Sequence, residues 1–241
     1  MTAASPPPAR SRPSLARPSL ARPSLARPSL PLHRPAPVVL ALLGFCCAVE
    51  VLLQAADAGL IGTPRWRAQA YENAGFWAGL LWGWTPNYAA QPGLMFASYA
   101  LLHSGLSHLA GNMVPLWILG NIVTARAGQR GFLAIWVLAT IAGALAFGLL
   151  TDSPRPMVGT SGALFGLAGA FMAWEAQDRR RAGQSLWPVA GWLVGLVVLN
   201  LAYFVLQHGL LAWETHLGGF VAGGICGLVG TPQPALVKTR S

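Results

Sequence analysis

Polar and ionisable side chains occur in three short clusters within otherwise apolar stretches of the sequence. The first cluster contains His103, His108 and Asn112, the second contains Ser161, and the third contains His216. Such side chains are costly inside a bilayer, so each one is a candidate functional residue. A serine hydroxyl can attack an amide when a base lies within hydrogen-bond reach and donors stabilise the developing oxyanion. The three clusters together contain all of these groups.

The spacing within the first cluster suits a set of hydrogen-bond donors. His108 and Asn112 are four residues apart, which places them on one helical face, one turn apart. Ser161 would open a helix, where backbone N–H groups have no intrahelical acceptor. These donors could together stabilise an oxyanion. His103 is interpreted as a residue that buttresses the loop before the helix.

Glycines accompany both candidate reactive residues. Gly159 and Gly162 lie on either side of Ser161. Gly219 and Gly223 lie three and seven residues after His216. Small residues at this spacing allow helix backbones to approach closely. The pattern therefore predicts that the serine and histidine helices pack in direct contact.

The elements that carry these clusters are predicted to be membrane-spanning helices. The chain has 241 residues, of which 54% are hydrophobic and 10% charged, whereas soluble domains carry about 25% charged residues. A spanning helix needs about 20 mostly apolar residues. Six windows fit or nearly fit: 37–56, 104–124, 131–150, 159–176, 186–206 and 216–231. A long connection, 57–103, separates the first two, and its Trp-containing part, 76–84, is predicted to be interfacial or re-entrant.

The distribution of basic residues predicts the orientation. Thirteen of the 16 Lys and Arg residues lie in the N-terminal arm, after the second and fourth windows, and in the C-terminal tail. Basic residues favour the cytoplasmic side, so both termini are predicted to be cytoplasmic. The second, fourth and sixth helices then all start at the outer face, which puts His108, Ser161 and His216 at similar depth.

These motifs, in this order, resemble the rhomboid family of intramembrane proteases. The resemblance rests on His103 with His108-x-x-x-Asn112, on Gly159-x-Ser161-Gly162, and on the run from His216 to Gly223. It covers residues 37–231. The resemblance implies an all-α, six-helix rhomboid bundle with a long first outer loop.

The resemblance also implies a role for each matching residue. Ser161 would be the nucleophile and His216 the general base of a Ser–His dyad, while His108, Asn112 and the Ser161 backbone N–H would form the oxyanion hole. Asp152 and Glu214 are interpreted as solvated residues of outer loops. The chain departs from the commoner family pattern in two places: it has Leu94-Met95 where many members have Trp-Arg, and Phe165 where members often have Tyr. Phe165 keeps a ring that could stack on the histidine.

The remaining segments are assigned from composition. Residues 1–36, in which the pentad Arg-Pro-Ser-Leu-Ala repeats from Arg12 and the last copy ends in Pro31, are predicted to be a disordered basic arm. Residues 232–241 are predicted to be a cytoplasmic tail. The net charge is +9, but the basic residues lie in short segments between apolar runs. They are therefore interpreted as signals that orient the helices in the membrane, and not as a nucleic-acid-binding surface. No metal-ligand spacing occurs around the cysteines, and no metal or cofactor is expected.

The sequence thus predicts an integral membrane endopeptidase that cleaves transmembrane helices of single-span or multi-span membrane proteins near the outer face. The expected location is a bacterial inner membrane, although the arm also resembles a transit peptide. One alternative is a non-catalytic rhomboid-like binder of membrane helices, which predicts a damaged dyad. Another is a small transporter, which predicts internal repeats and broken helices. The sequence leaves the oligomeric state and the substrate open.

Overall fold

The computed structural model describes residues 35–230, and this part of the chain is helical. The only β pairing within it is a single bridge between Phe76 and Met157. The predictions for the N-terminal arm and the C-terminal tail fall outside the described residues, apart from positions 35 and 36. The α-helices are α1 (Pro37–Asp57), α2 (Trp66–Ala74), α3 (Gln91–Ser98), α4 (Leu106–Leu150), α5 (Ser161–Arg181), α6 (Trp187–Leu206) and α7 (Trp213–Val229), with 3-10 turns at Ala78–Leu81 and Tyr99–Leu101.

Helix α4 consists of two arms that meet at Gly128. Gly128 has non-helical dihedral angles (φ 71°, ψ 173°), which an L-residue with a side chain rarely adopts. A β-carbon at Gly120 would lie 3.4 Å from the Phe132 ring, yet 12 residues of straight helix extend about 18 Å. The chain therefore folds back at Gly128. The two arms correspond to the second and third predicted windows.

Helices α5 and α7 pack backbone to backbone at the centre of the bundle, next to α4. A β-carbon at Gly219 or Gly223 would collide with the carbonyl oxygen of Gly162 or Gly166, respectively. Because these atoms belong to backbone, they could not move aside as a flexible side chain would. The small-residue pattern of the sequence thus corresponds to direct helix contact.

The connection between α1 and α4 is more ordered than the sequence indicated. It contains α2, α3 and both 3-10 turns, and it packs against the end of α4. Phe76 is fully buried, and the Trp82 indole N–H donates to the carbonyl of Gly148 at 3.1 Å. The connection is therefore a folded cover over one end of the bundle.

Among the described helices, α1, α4 and α6 are long and apolar enough to cross a bilayer. Helix α4 has 45 residues, enough length for two crossings of about 20 residues each. Many large apolar side chains of these helices point outward, including Leu40, Val137 and Val197. An apolar surface of this extent is stable when it is covered by lipid. The chain is therefore an integral membrane protein.

Candidate active site

Ser161 and His216 are brought together by the ends of α5 and α7. Ser161 is the first residue of α5, and His216 lies in the first turn of α7. The serine Oγ is 2.8 Å from Nε2 of His216. At this distance the hydroxyl donates a hydrogen bond to an unprotonated Nε2. The arrangement can therefore transfer the serine proton to the ring, as a nucleophile and a general base require.

Phe165 fixes the plane of the His216 ring. The two ring centroids are 4.2 Å apart, with an angle of 3° between the planes. Phe165 lies four residues after Ser161 on α5, so the same helix supplies the hydroxyl and the stacking surface. The ring is also buried, with 7% of its residue surface exposed. Stacking thus holds the ring in one plane, and in that plane Nε2 contacts the serine.

Asn200, which the sequence analysis did not single out, contacts the opposite ring nitrogen. Its side-chain Oδ1 lies 2.5 Å from Nδ1 of His216. Asn200 is on α6, which is otherwise almost entirely apolar. An amide within such a helix was the available signal, because a polar side chain in a membrane span usually has a partner.

His108 presents one ring nitrogen as a free donor. The backbone N–H of Ser104 donates to Nδ1 of His108 at 3.2 Å, and the Ser104 hydroxyl lies 2.9 Å from the same atom. Because Nδ1 accepts, the neutral ring carries its proton on Nε2. This N–H lies on the side of the ring that faces Gly159.

Gly159 lets His108 and Asn112 approach the start of α5. Its φ of +119° favours glycine, and a β-carbon there would lie 2.8 Å from Cε1 of His108 and 3.9 Å from Nδ2 of Asn112. Asn112 is buried and uses one amide hydrogen to bond the carbonyl of His108 at 2.9 Å. Its second amide hydrogen remains available near Gly159.

The start of α5 adds backbone donors to this region. Thr160, which precedes the helix, makes no side-chain cap, and the N–H groups of a first helical turn have no intrahelical acceptor. Gly162 is buried there. The structure thus places side-chain and backbone N–H groups on the serine-bearing end of α5, where an oxyanion could be stabilised.

An ion pair between a partly exposed arginine and a buried carboxylate supports the loop that leads to His108. Arg67 on α2 makes a two-pronged contact with Glu50 of α1, at 2.9 and 3.1 Å, and donates to the carbonyl of His103 at 3.0 Å. The Tyr71 hydroxyl donates to the same carbonyl at 2.8 Å. Glu50 is fully buried. These hydrogen bonds connect α1 and α2 to the residues immediately before α4. They do not involve Leu94 or Met95, the two positions at which the sequence departs from the commoner rhomboid pattern.

His103 packs edge-on against His108. The ring centroids are 5.3 Å apart, and His103 is fully buried. Burial lowers the pKa of His103 to about 4, and the neighbouring His108 adds to that shift. The side chain is therefore neutral at pH 7 and supports the ring of His108 by packing.

The interpretation of Glu214 as a solvated loop residue is wrong. It lies in the first turn of α7 and is only 7% exposed, because α7 begins at Trp213, three residues before the predicted window. Asp152 is exposed, as expected. The described residues contain no group of three or more His, Cys, Asp or Glu side chains that could hold a metal ion.

Comparison with known proteins identifies the class of protein to which this fold and site belong. The profile of the Rhomboid domain matches residues 92–233, which include every candidate site residue. The chain belongs to the rhomboid family, as its motifs predicted.

Individual relatives match over the same part of the chain. Rhomboid protease GluP of Bacillus subtilis is 32% identical over 124 residues, which cover 51% of this chain and 23% of that protein. RHOMBOID-like protein 5 of Arabidopsis thaliana is 33% identical over 135 residues, or 53% of this chain and 41% of that protein. Rhomboid protein 1, mitochondrial, of Saccharomyces cerevisiae is 31% identical over 137 residues, or 53% and 39%. The chain spans less than half the length of each of these three relatives.

Proposed function

We propose that this protein is an intramembrane serine endopeptidase that cleaves transmembrane helices of membrane protein substrates near the outer membrane face. The observation that carries the proposal is the 2.8 Å contact between the Ser161 hydroxyl and Nε2 of His216. The name of the Bacillus subtilis relative, a rhomboid protease, supports the same activity. A non-catalytic binder would not need this contact.

In the proposed reaction, Oγ of Ser161 attacks the carbonyl carbon of the scissile peptide while Nε2 of His216 takes the hydroxyl proton. The negative charge of the tetrahedral intermediate is stabilised by N–H groups of His108, Asn112 and the start of α5. The imidazolium then returns the proton to the leaving amine. A water molecule, activated by the same ring, finally hydrolyses the acyl-enzyme. The scheme uses no metal or cofactor.

The proposed placement has six crossings: α1, the two arms of α4, α5, α6 and α7. The distribution of basic residues supports cytoplasmic termini, and we propose a bacterial inner membrane. The α1–α4 connection would then lie at the outer face, beside the reactive residues. Water would reach Ser161 from that side, because the membrane interior offers none.

The test is cleavage of a fluorescent single-span reporter by the purified full-length protein in liposomes. We expect Ser161→Ala and His216→Ala each to abolish cleavage. Ser185→Ala and His208→Asn are matched controls, since both residues are exposed and neither contacts Ser161 or His216 through a hydrogen bond. Both controls should cleave at the parent rate.

Labelling by a fluorophosphonate probe provides a second readout that does not depend on the choice of reporter. The parent protein and the two controls should be labelled, whereas Ser161→Ala should not. Cleavage by Ser161→Ala at the parent rate would reject the assignment of the nucleophile. Failure of the folded parent both to cleave and to be labelled would favour a non-catalytic binder of membrane helices.

A further inference from the structure

The imidazole ring of His216 is held at both nitrogens, by residues from two different helices. Nε2 contacts Ser161 of α5, and Nδ1 contacts Oδ1 of Asn200 on α6 at 2.5 Å. Residues 200 and 216 belong to the consecutive helices α6 and α7, so this contact links the two helices. A simple serine–histidine pair would leave Nδ1 without a defined partner.

The chemistry of the ring determines the direction of the Asn200 hydrogen bond. A neutral imidazole carries one N–H and one lone pair. Nε2 must offer its lone pair if it is to accept the proton of Ser161, and Nδ1 must then carry the hydrogen. The amide oxygen of Asn200 is the group that can accept from that N–H. The opposite orientation, with the amide nitrogen toward Nδ1, would place the ring proton on Nε2 and block the base.

The same contact becomes stronger during reaction. When Nε2 takes the serine proton, the ring becomes a cation and its Nδ1–H becomes a charge-assisted donor. An oxygen already in place therefore stabilises the charged intermediate without further rearrangement. Cys–His–Asn sites in other proteases use an asparagine in this relation to the histidine.

The position of Asn200 on α6 has a second possible explanation, namely anchoring of the helix. No residue of α6, all of which is described, is buried, so a single hydrogen bond could serve mainly to attach it. A separate attachment exists between α5 and α6, where the rings of Phe171 and Trp192 lie 5.4 Å apart. Weakening that contact tests anchoring without touching His216.

We propose that Asn200 is a positioning residue that holds His216 in the tautomer able to accept the serine proton, so that Ser161, His216 and Asn200 form one hydrogen-bonded chain. The proposal rests on the proposed protease function. It assigns to α6 a side chain that acts on the reaction through the histidine ring.

The kinetic test compares the parent with Asn200→Leu, Asn200→Asp and Trp192→Ala, using the liposome reporter. Leucine is close to asparagine in size and suits a membrane helix, but it has no acceptor. We expect Asn200→Leu to lower kcat roughly 10- to 100-fold, the effect of losing a hydrogen bond to a charged group, with KM nearly unchanged. Asn200→Asp keeps an acceptor oxygen and should recover most of kcat. Trp192→Ala should retain the parent kcat.

A structural test reads the tautomer directly and does not depend on cleavage. In protein labelled with ¹⁵N at histidine, the ring signals of His216 are identified by their absence in His216→Ala. We expect the parent to carry its proton on Nδ1 and Asn200→Leu to show a mixture of tautomers. This measurement remains decisive if the reporter is not cleaved, in which case the protease proposal fails separately.

Three results would overturn the inference. The first is a parent kcat in folded Asn200→Leu. The second is an equal loss of kcat in Asn200→Leu and Trp192→Ala, which would indicate helix anchoring. The third is a parent His216 ring protonated on Nε2, which applies even if the Asn200 variants do not fold.

Discussion

Gly219 on α7 lies against the carbonyl oxygen of Gly162 on α5, closely enough that a β-carbon at position 219 would collide with that oxygen. Ser161 immediately precedes Gly162, and His216 lies three residues before Gly219. The backbone contact between the two helices therefore sets how closely the main chains at Ser161 and His216 approach. Within that spacing, the contacts of Phe165 and Asn200 with the His216 ring orient the side chain toward the serine.

Replacement of Gly219 by alanine is expected to separate α5 and α7. Overpacking costs about 1–3 kcal/mol and occasionally more, and here only backbone could move aside. We expect Gly219→Ala to lower the thermal midpoint in detergent and to remove most reporter cleavage. Gly224→Ala is the matched control on the same helix, since nothing lies within 4 Å of its added β-carbon. Similar midpoints for the two variants would contradict the packing argument.

Gly159→Ala is expected to impair activity more than stability. The added carbon would lie 2.8 Å from Cε1 of His108, so the ring that presents a donor would have to shift. Backbone strain at a positive φ costs of order 1–3 kcal/mol on its own. Gly83→Ala carries similar strain, at φ +99°, with nothing within 4 Å. Reporter cleavage should fall at least tenfold in Gly159→Ala only; equal losses in both variants would show that strain alone is responsible.

Arg67→Met is expected to destabilise the protein strongly, because it leaves the fully buried Glu50 carboxylate without its cation. Removing one partner of a buried ion pair typically costs about 3–5 kcal/mol. The double variant Glu50→Gln, Arg67→Met should recover part of that loss. Thermal midpoints measure both effects. Arg179→Met serves as the control, because it breaks a partly exposed pair with Glu175, worth about 0.3–0.5 kcal/mol. If Arg67→Met costs no more than this control, Glu50 does not depend on Arg67.

The buried His103 is expected to make stability depend on pH below neutrality. Its pKa is about 4 in the folded protein, against an ordinary value of 6.5, so the unfolded chain binds more protons between these values. Stability therefore falls as the pH decreases through that range and is fully present above it.

The measurement for His103 compares SDS-induced unfolding at pH 7.5 and pH 5. The parent should lose about 1–2 kcal/mol more than His103→Leu between these two pH values. Packing changes in the variant cancel, because each protein is compared with itself. His208→Asn should behave as the parent does, since His208 is exposed. Parallel losses in the parent and in His103→Leu would assign the pH dependence to other groups.

The long apolar helices could be predicted well from sequence. Window 37–56 became Pro37–Asp57, and window 186–206 became Trp187–Leu206, because length and apolar composition alone determine such elements. The rhomboid assignment, which rested on motifs in three helices, is confirmed. The catalytic roles of Ser161 and His216 remain predictions.

What the sequence did not indicate depends on tertiary contacts. Helix α2 is short and polar, and its Arg67 is paired with a carboxylate 17 residues earlier, which no local pattern reveals. The partner of Asn200 is 16 residues away on another helix. The burial of Glu214 followed from an earlier start of α7, an error of three residues at a helix boundary. The sequence therefore predicted the long helices better than it predicted where α7 begins or which residues form hydrogen bonds between helices.

The separation of Ser161 and His216 along the chain has a consequence for biosynthesis. The two residues are 55 positions apart, and Asn200 is translated between them. A chain inserted only as far as α5 contains the hydroxyl but not its base, and one inserted as far as α6 contains the amide with no ring to hold. The proposed protease would thus remain inert while the ribosome and insertion machinery are still its neighbours, and would mature only when α7 enters the bundle.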